Sequence, residues 1–221
     1  MLASVVSNEA AVKALLTALS NKSEIAAMAG IRQFNEEQTL DRALEVFWRK
    51  GFGATSMPEL AEATGVQRGS LYNAYGDKQG LFLAVFARYK LGFLTAAGET
   101  LHPADTREAL KAFFTFAIAS MKSGEAARGC LSTKTTVDEN ATAEPIRDVL
   151  RGMVDGLEDL LAERLRRATE PLALPVEDAA RLLVTLTRGI VVIERLYPDA
   201  QRLQATADSL VDLIIPAVVG A

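Results

Sequence analysis

Apolar side chains along this 221-residue chain recur at intervals of three and four, rarely of two, from about residue 37 to residue 215. That is the spacing of one helix face, not of a strand. Leu40, Ala43, Leu44 and Phe47 place a helix over Glu36–Lys50, with Asn35 as its N-cap and Gly51 as its stop. A long helix starts at Asp77 and carries Leu81, Phe82, Val85, Phe86 and Tyr89. Further helical patterns lie near 105–123, 145–168, 176–196 and 199–215, with Pro145, Pro171, Pro175 and Pro198 at or between their starts. The expected fold class is all-α.

Residues 1–31 read differently, as an N-terminal extension. Val12, Leu15, Leu16 and Leu19 suit a short amphipathic helix that ends at the polar break from Ser20 to Ser23. No cationic segment precedes that apolar stretch, so a secretory signal is not expected. Met28 is an ordinary place for the natural chain to begin.

Between the first and the long helix the pattern breaks into two short pieces. Ser56 followed by Glu59 is a capping box, and Pro58 is tolerated in a first turn, so a helix starts there and runs to about Thr64. Gly65 supplies the left-handed residue of a tight turn, and a second short helix spans about Arg68 to Ala74. Leu60, Val66 and Leu71 make an apolar wedge, while Ala61 is small enough for the second helix to cross closely above it. Two short helices around a glycine form a helix-turn-helix, whose second helix enters the major groove of DNA.

Composition removes several function classes. One cysteine, Cys130, and one histidine, His102, exclude an intrachain disulfide, a cysteine-rich zinc site and most catalytic triads. No glycine-rich phosphate loop, histidine-containing metal motif or nucleophile elbow is present. The reading therefore needs no catalytic residue, no metal and no cofactor. No uninterrupted apolar run has the length of a membrane span, so no membrane partner is expected, and a cytoplasmic location is. The net charge of −4 looks wrong for a DNA partner, but it is unevenly spread. Residues 1–31 sum to zero. Residues 32–92 carry 8 basic and 7 acidic side chains, and residues 93–221 carry 14 basic and 19 acidic. The acidity belongs to the C-terminal part.

The run from Thr55 to Leu81, with the preceding segment from Ala43 to Phe52, resembles the DNA-binding domain of TetR/AcrR-type transcriptional regulators. The motif covers about residues 34–90; beyond it only helix number, length and order match. The resemblance implies a helix-turn-helix domain over residues 32–80 and a helical ligand-binding and dimerisation domain over residues 81–221. It also implies a homodimer, probing a palindromic double-stranded DNA operator, that acts as a repressor released by a small-molecule effector.

Position by position, Thr55 and Ser56 stand at a helix start, where a phosphate oxygen is favourably received. Arg68, Ser70 and Tyr72 lie on the reading helix within reach of phosphates or base edges, and Asn73 has the carboxamide that suits adenine. By resemblance Tyr72 and Lys78 grip the DNA backbone, and Tyr75 packs inward. Gln67 replaces a short capping side chain, so either the reading helix is less well capped or Gln67 reaches a base. Gly80 replaces a glutamate, leaving Asp77 to cap the long helix without a reciprocal partner.

In the C-terminal part, the last two helices have broad apolar faces: Leu182, Leu186, Ile190 and Ile193 on one, Leu203, Leu210, Leu213 and Ile214 on the other. They either face a monomer's core or, by resemblance, join a partner's in a four-helix bundle. Phe113, Phe116, Met121, Met153 and Thr187 are candidate lining residues of an effector cavity. Arg188, in an otherwise apolar helix, needs an anionic partner: a ligand carboxylate or a nearby Asp or Glu. Cys130 is either a small buried hydrophobe or, at a helix start with Arg128 and Lys134 nearby, a reactive thiolate. Two alternatives thus stand beside the effector-released repressor. One is a thiol-responsive regulator acting through Cys130; the other is a helical binding protein with no DNA function.

Overall fold

A computed structural model gives the fold, describing residues 34–122 and 129–216. The expected N-terminal amphipathic helix, the alternative start at Met28 and Arg128 lie outside the described residues. Among the described residues there are nine α-helices and no strand. They are α1 Glu36–Lys50, α2 Met57–Thr64, α3 Arg68–Tyr75, α4 Lys78–Thr100 and α5 Thr106–Lys122. The rest are α6 Leu131–Thr136, α7 Glu144–Arg166, α8 Val176–Leu196 and α9 Ala200–Ile214. The all-α expectation is met, and the long helices begin and end close to where the apolar period predicts.

Local chemistry sets the boundaries. Gly51 (φ 86°) ends α1, its amide donating to the Phe47 carbonyl at 2.8 Å. Ser56 and Glu59 form the complete reciprocal capping box of α2. Pro145 falls in the first turn of α7, where its missing amide costs nothing. Asp199 caps α9 by accepting from the amides of Gln201 and Arg202.

The helix α4 is the post on which the rest is built. Its Leu81, Phe82, Val85 and Phe86 are buried; Phe47 of α1 meets Phe82 edge-on at 5.1 Å, and Phe52, just beyond α1, meets it at 5.2 Å. Further along, Phe86 touches Tyr89, Tyr89 touches Phe93, and Phe93 touches Phe116 of α5. One line of rings therefore runs from the first helices to α5. Arg88 clamps α4 to α1 through Asp41 (2.7 Å) and Glu37 (2.8 Å). By length and hydropathy α4 is apolar enough to cross a membrane, which uninterrupted apolar runs alone do not indicate; in this fold its Leu81, Phe82, Val85, Phe86, Tyr89 and Ala97 are buried. Around its second half α7 packs on α4 and α8, and α5 on α9. Phe113, Phe114, Ile146, Met153 and Leu157 fill the space between with almost no exposure.

Candidate nucleic-acid interface and internal cavity

The turn between α2 and α3 is fixed by Gly65, left-handed at φ 71° and ψ 14°, whose amide donates to the carbonyls of Ala61 and Glu62. Leu60 and Leu71 are fully buried beneath it and Val66 nearly so. That anchoring leaves the opposite side of α3 in solvent: Gln67, Arg68, Gly69, Tyr72 and Asn73 are exposed, Ser70 half-buried. Arg68 Nη2 donates to the Tyr72 hydroxyl at 3.3 Å and its guanidinium lies over the Tyr72 ring, 5.4 Å from the centroid. Gln67 occupies the N-cap of α3 with no side-chain capping bond, as its length leads one to expect. Tyr75 is half-buried.

The remaining expected contact residues hold the head together. Thr55 is buried, its hydroxyl donating to the Gly51 carbonyl at 2.7 Å and its amide to Phe52 at 3.3 Å. Ser56 is exposed, but its amide and hydroxyl both donate to Glu59, which also pairs with Lys50. Those bonds, Lys50's first among them, hold the Glu59 carboxyl down at about 2. Lys78 Nζ faces inward, donating to the carbonyls of Phe52 (2.9 Å) and Thr55 (3.0 Å) and sitting 4.4 Å from the Phe52 ring centroid. Asp77 caps α4 by accepting from the Gly80 amide at 2.7 Å. Gly69 carries no side chain on the exposed face, and a Cβ there would meet nothing within 4 Å. Sequence reasoning passed over it, although a glycine inside a helix, costly for propensity, was the available signal.

The second site is a small cavity of about 20 Å³ where α4, α5, α7 and α8 converge. It brings together five of the residues proposed as lining: Phe113, Met121, Cys130, Thr187 and Arg188. Phe116 lies outside it, stacked on Phe93, and Met153 is fully buried in the core. Trp48 and Tyr89 line it too: Tyr89 comes from the long helix of the expected ligand-binding domain, although not among the expected lining residues, and Trp48 from α1 of the expected DNA-binding domain. Two wider surface depressions, 370 Å³ beside α7 and 680 Å³ between α4 and α7, collect none of the expected residues.

Within the cavity the structure departs from two readings: the nearby Asp or Glu that was one of the two partners expected for Arg188, and Lys134 beside the thiol. Arg188 has no carboxylate partner among the described residues. Its Nη1 donates to Cys130 Sγ (3.3 Å) and to the hydroxyls of Ser132 (2.9 Å) and Thr133 (3.5 Å), and its Nε to Thr187 Oγ1 (3.2 Å). Lys134 does not serve the thiol, because its ammonium reaches back to the carbonyls of Trp48 (3.0 Å) and Arg49 (2.7 Å) at the end of α1. Cys130 is buried, with Ser132 Oγ at 3.0 Å and the Tyr89 hydroxyl at 3.7 Å. Burial pushes its thiol up, but the Arg188 charge, then the Ser132 and Thr133 hydrogen bonds, more than offset this and hold it below the ordinary value. The same surroundings push the Tyr89 phenol well up, burial foremost.

Polar bonds tie the segment from Gly129 to Asn140 to the first helices. Trp48 Nε1 donates to the Gly129 carbonyl at 3.0 Å, and the Gly53 amide to Asp138 Oδ2 at 2.6 Å. A Cβ at Gly53 would lie 2.5 Å from Asn140 Nδ2 and 2.7 Å from Asp138 Oδ1, so a larger residue there would have to displace those side-chain ends.

Outside these sites, α8 and α9 leave apolar side chains in solvent. Leu182 is 44% exposed, Ile193 39%, Leu196 68% and Leu213 72%, and Gly189 between them has open space beside it. Ile190, Leu203 and Ile214, from the same predicted faces, are buried.

A model described as bacterial regulatory proteins, tetR family, matches residues 40–85, and one for a tetracyclin repressor-like C-terminal domain matches residues 106–210. The chain is 28% identical over 183 residues to YezE of Bacillus subtilis (strain 168), an uncharacterized HTH-type transcriptional regulator, covering 80% of this chain and 94% of that one. It is 26% identical over 186 residues to the transcriptional repressor ComR of Escherichia coli (strain K12), covering 81% and 89%. Among solved structures it is similar to a cysteine mutant of the TetR family regulator CifR, complexed with 26-bp double-strand operator DNA. That match has a TM-score of 0.74 and 27% identity, over 82% of this chain and 98% of the other.

Proposed function

The chain belongs to the TetR family of bacterial regulatory proteins, and on that premise we propose that it is a homodimeric repressor, not an enzyme, that a small molecule releases from a palindromic operator. In this reading residues 32–80 are the reading head and residues 81–221 the ligand-binding and dimerisation body. The observation that carries it is the division of α3 into a buried side anchored by Leu71 and an exposed side bearing Arg68, Gly69, Tyr72 and Asn73. Such a helix is held rigidly from beneath and presents cationic, aromatic and amide groups outward, as a major-groove reader must.

Roles follow from placement. Arg68 and Tyr72, already paired, meet phosphates or bases together; Asn73 and Gln67 read base edges. Gly69 lets the α3 backbone approach the groove floor. Lys78 spends two of its three donors on carbonyls, and the third is left for a phosphate. Thr55 and Ser56 shape the loop that positions this array, rather than offering their hydroxyls to DNA. Two copies of α3 at half-sites about one DNA turn apart bind far more tightly than one, which gives the exposed stripe of α8 and α9 its purpose as a dimer seam.

Selecting bound duplexes from a random pool, then titrating the winner by gel shift at several salt concentrations, tests this. Binding should weaken steeply with salt. Tyr72→Ala should lower affinity for every sequence and flatten the salt slope, whereas Asn73→Ala should change which sequences win. Failure to enrich any duplex, or an affinity indifferent to salt, would refute the reading.

A further inference from the structure

The peptide between Phe52 and Gly53 is held at both ends by opposite charges. Its carbonyl accepts from Lys78 Nζ at 2.9 Å, and its amide donates to Asp138 Oδ2 at 2.6 Å. A planar trans peptide points these two groups in opposite directions, so the unit sits between an ammonium and a carboxylate. Charged partners strengthen both bonds. Without them this peptide would turn with little steric resistance, because Phe52 has glycine on both sides.

The two charges come from distant parts of the chain. Lys78 opens α4, where it also holds the Thr55 carbonyl. Asp138 lies just beyond α6 and is fixed there by its own loop. Its Oδ1 accepts from the Asn140 amide (2.9 Å), its amide donates to the Thr135 carbonyl (3.2 Å), and its carbonyl accepts from the Ala141 amide (2.9 Å). Oδ2 is the oxygen left for Gly53. Burial pushes the Asp138 carboxyl up, but the Gly53 and Asn140 hydrogen bonds and the Lys78 charge more than offset this and keep it an anion.

We infer that Asp138 is a positioning residue for DNA binding: through the Phe52–Gly53 peptide it sets where Lys78 presents its remaining donor to a phosphate. This rests on the proposed function, from which it takes the phosphate contact of Lys78. The direction of the effect separates a clamp from plain electrostatics. An anion near a phosphate-binding lysine opposes DNA by charge alone, so removing it would ordinarily tighten binding. Removing a clamp does the reverse. The freed peptide turns, its carbonyl carries the Lys78 ammonium with it, and the phosphate contact is lost. Any change in the body that withdraws Oδ2 thus reaches the DNA-facing lysine through a single peptide.

Operator affinity of the full chain, titrated by gel shift at several salt concentrations, tests this. Asp138→Ala should bind about fivefold more weakly, and the slope of log affinity against log salt should fall by about 0.9, one phosphate contact. Asp138→Asn keeps an oxygen for the Gly53 amide, so its affinity should lie between the two. Glu139→Ala removes the same charge from an exposed neighbour that makes no hydrogen bond to the described residues, and should bind at least as tightly as the unaltered chain. In a Lys78→Ala background, Asp138→Ala should cost nothing more. One measurement needs neither variant nor DNA. By NMR the Gly53 amide should exchange about tenfold more slowly than that of exposed Ala54, after correction for intrinsic rates. The inference is overturned if Asp138→Ala binds as tightly as the unaltered chain, if its salt slope is unchanged, if Asp138→Asn is no better, if Glu139→Ala is weakened as much, if the Lys78 and Asp138 losses add, or if Gly53 exchanges as fast as Ala54. A chain that binds no duplex refutes the regulator reading and this inference with it; one that binds but fails a comparison refutes the inference alone.

Discussion

At Gly80 a single missing side chain decides how α3 joins α4. A Cβ built there would lie 1.9 Å from the Tyr75 carbonyl oxygen, a contact that backbone cannot relieve by a rotamer change. Gly80→Ala should therefore lower stability by about 1–3 kcal/mol, seen as a depressed thermal melt by circular dichroism. An unchanged melting temperature would mean that the α3–α4 turn yields freely. In the sequence this residue reads only as a lost capping partner, because the carbonyl it makes room for is placed by chain geometry and not by residue type. Glu59 gives a second test at this scale. Its carboxyl sits at about 2 when folded against an ordinary 4.5. A depressed acid stabilises above its unfolded value and loses that contribution as pH falls toward its folded one. Thermal stability should consequently decline between pH 4.5 and 2 less steeply in Glu59→Gln than in the unaltered chain, by a modest margin because the pair is exposed.

Among the elements, α3 shows most clearly a conflict between folding and binding. Gly69 in its middle costs helix stability and packs against nothing. Gly69→Ala should raise stability by about 0.5–1 kcal/mol while weakening DNA binding, measured by melting and gel shift on the same preparation. A gain in stability with affinity unchanged would remove Gly69 from the interface. Helix positions were legible throughout, since a period of 3.6 and the proline and glycine punctuation are local properties. Which side of a helix faces what was not. The apolar residues of α8 and α9 divide into buried Ile190, Leu203 and Ile214 and exposed Leu182, Ile193 and Leu213, and period alone cannot separate two apolar faces of one helix. Likewise the sequence located Arg188 and Cys130 as unusual, yet their meeting across 58 residues depends on the packing of α8 against the Gly129–Asn140 segment.

For the whole molecule, the exposed stripe of α8 and α9 sets the expected assembly. Leu182, Ile193, Leu196 and Leu213 would be unfavourable as a solvent face and ordinary as a seam. Sedimentation at micromolar concentration should show a species of about twice the 23.8 kDa chain mass, and Leu213→Glu should shift it toward the monomer. A monomer in the unaltered protein would leave α3 reading half-sites singly, and the proposed operator affinity would collapse.

Thr187, Arg188 and Gly189 are consecutive on α8. The first two line the cavity and the third lies open on the apolar stripe. With that stripe as the seam, the wall of each cavity and the boundary between subunits are opposite sides of one helical turn. A shift of Arg188 is then a shift of the seam, felt by the other subunit's α8 in the same instant. The two halves of such a dimer would not answer independently: a change in one cavity would bias the second, and the response to dose would be steeper than that of two isolated sites.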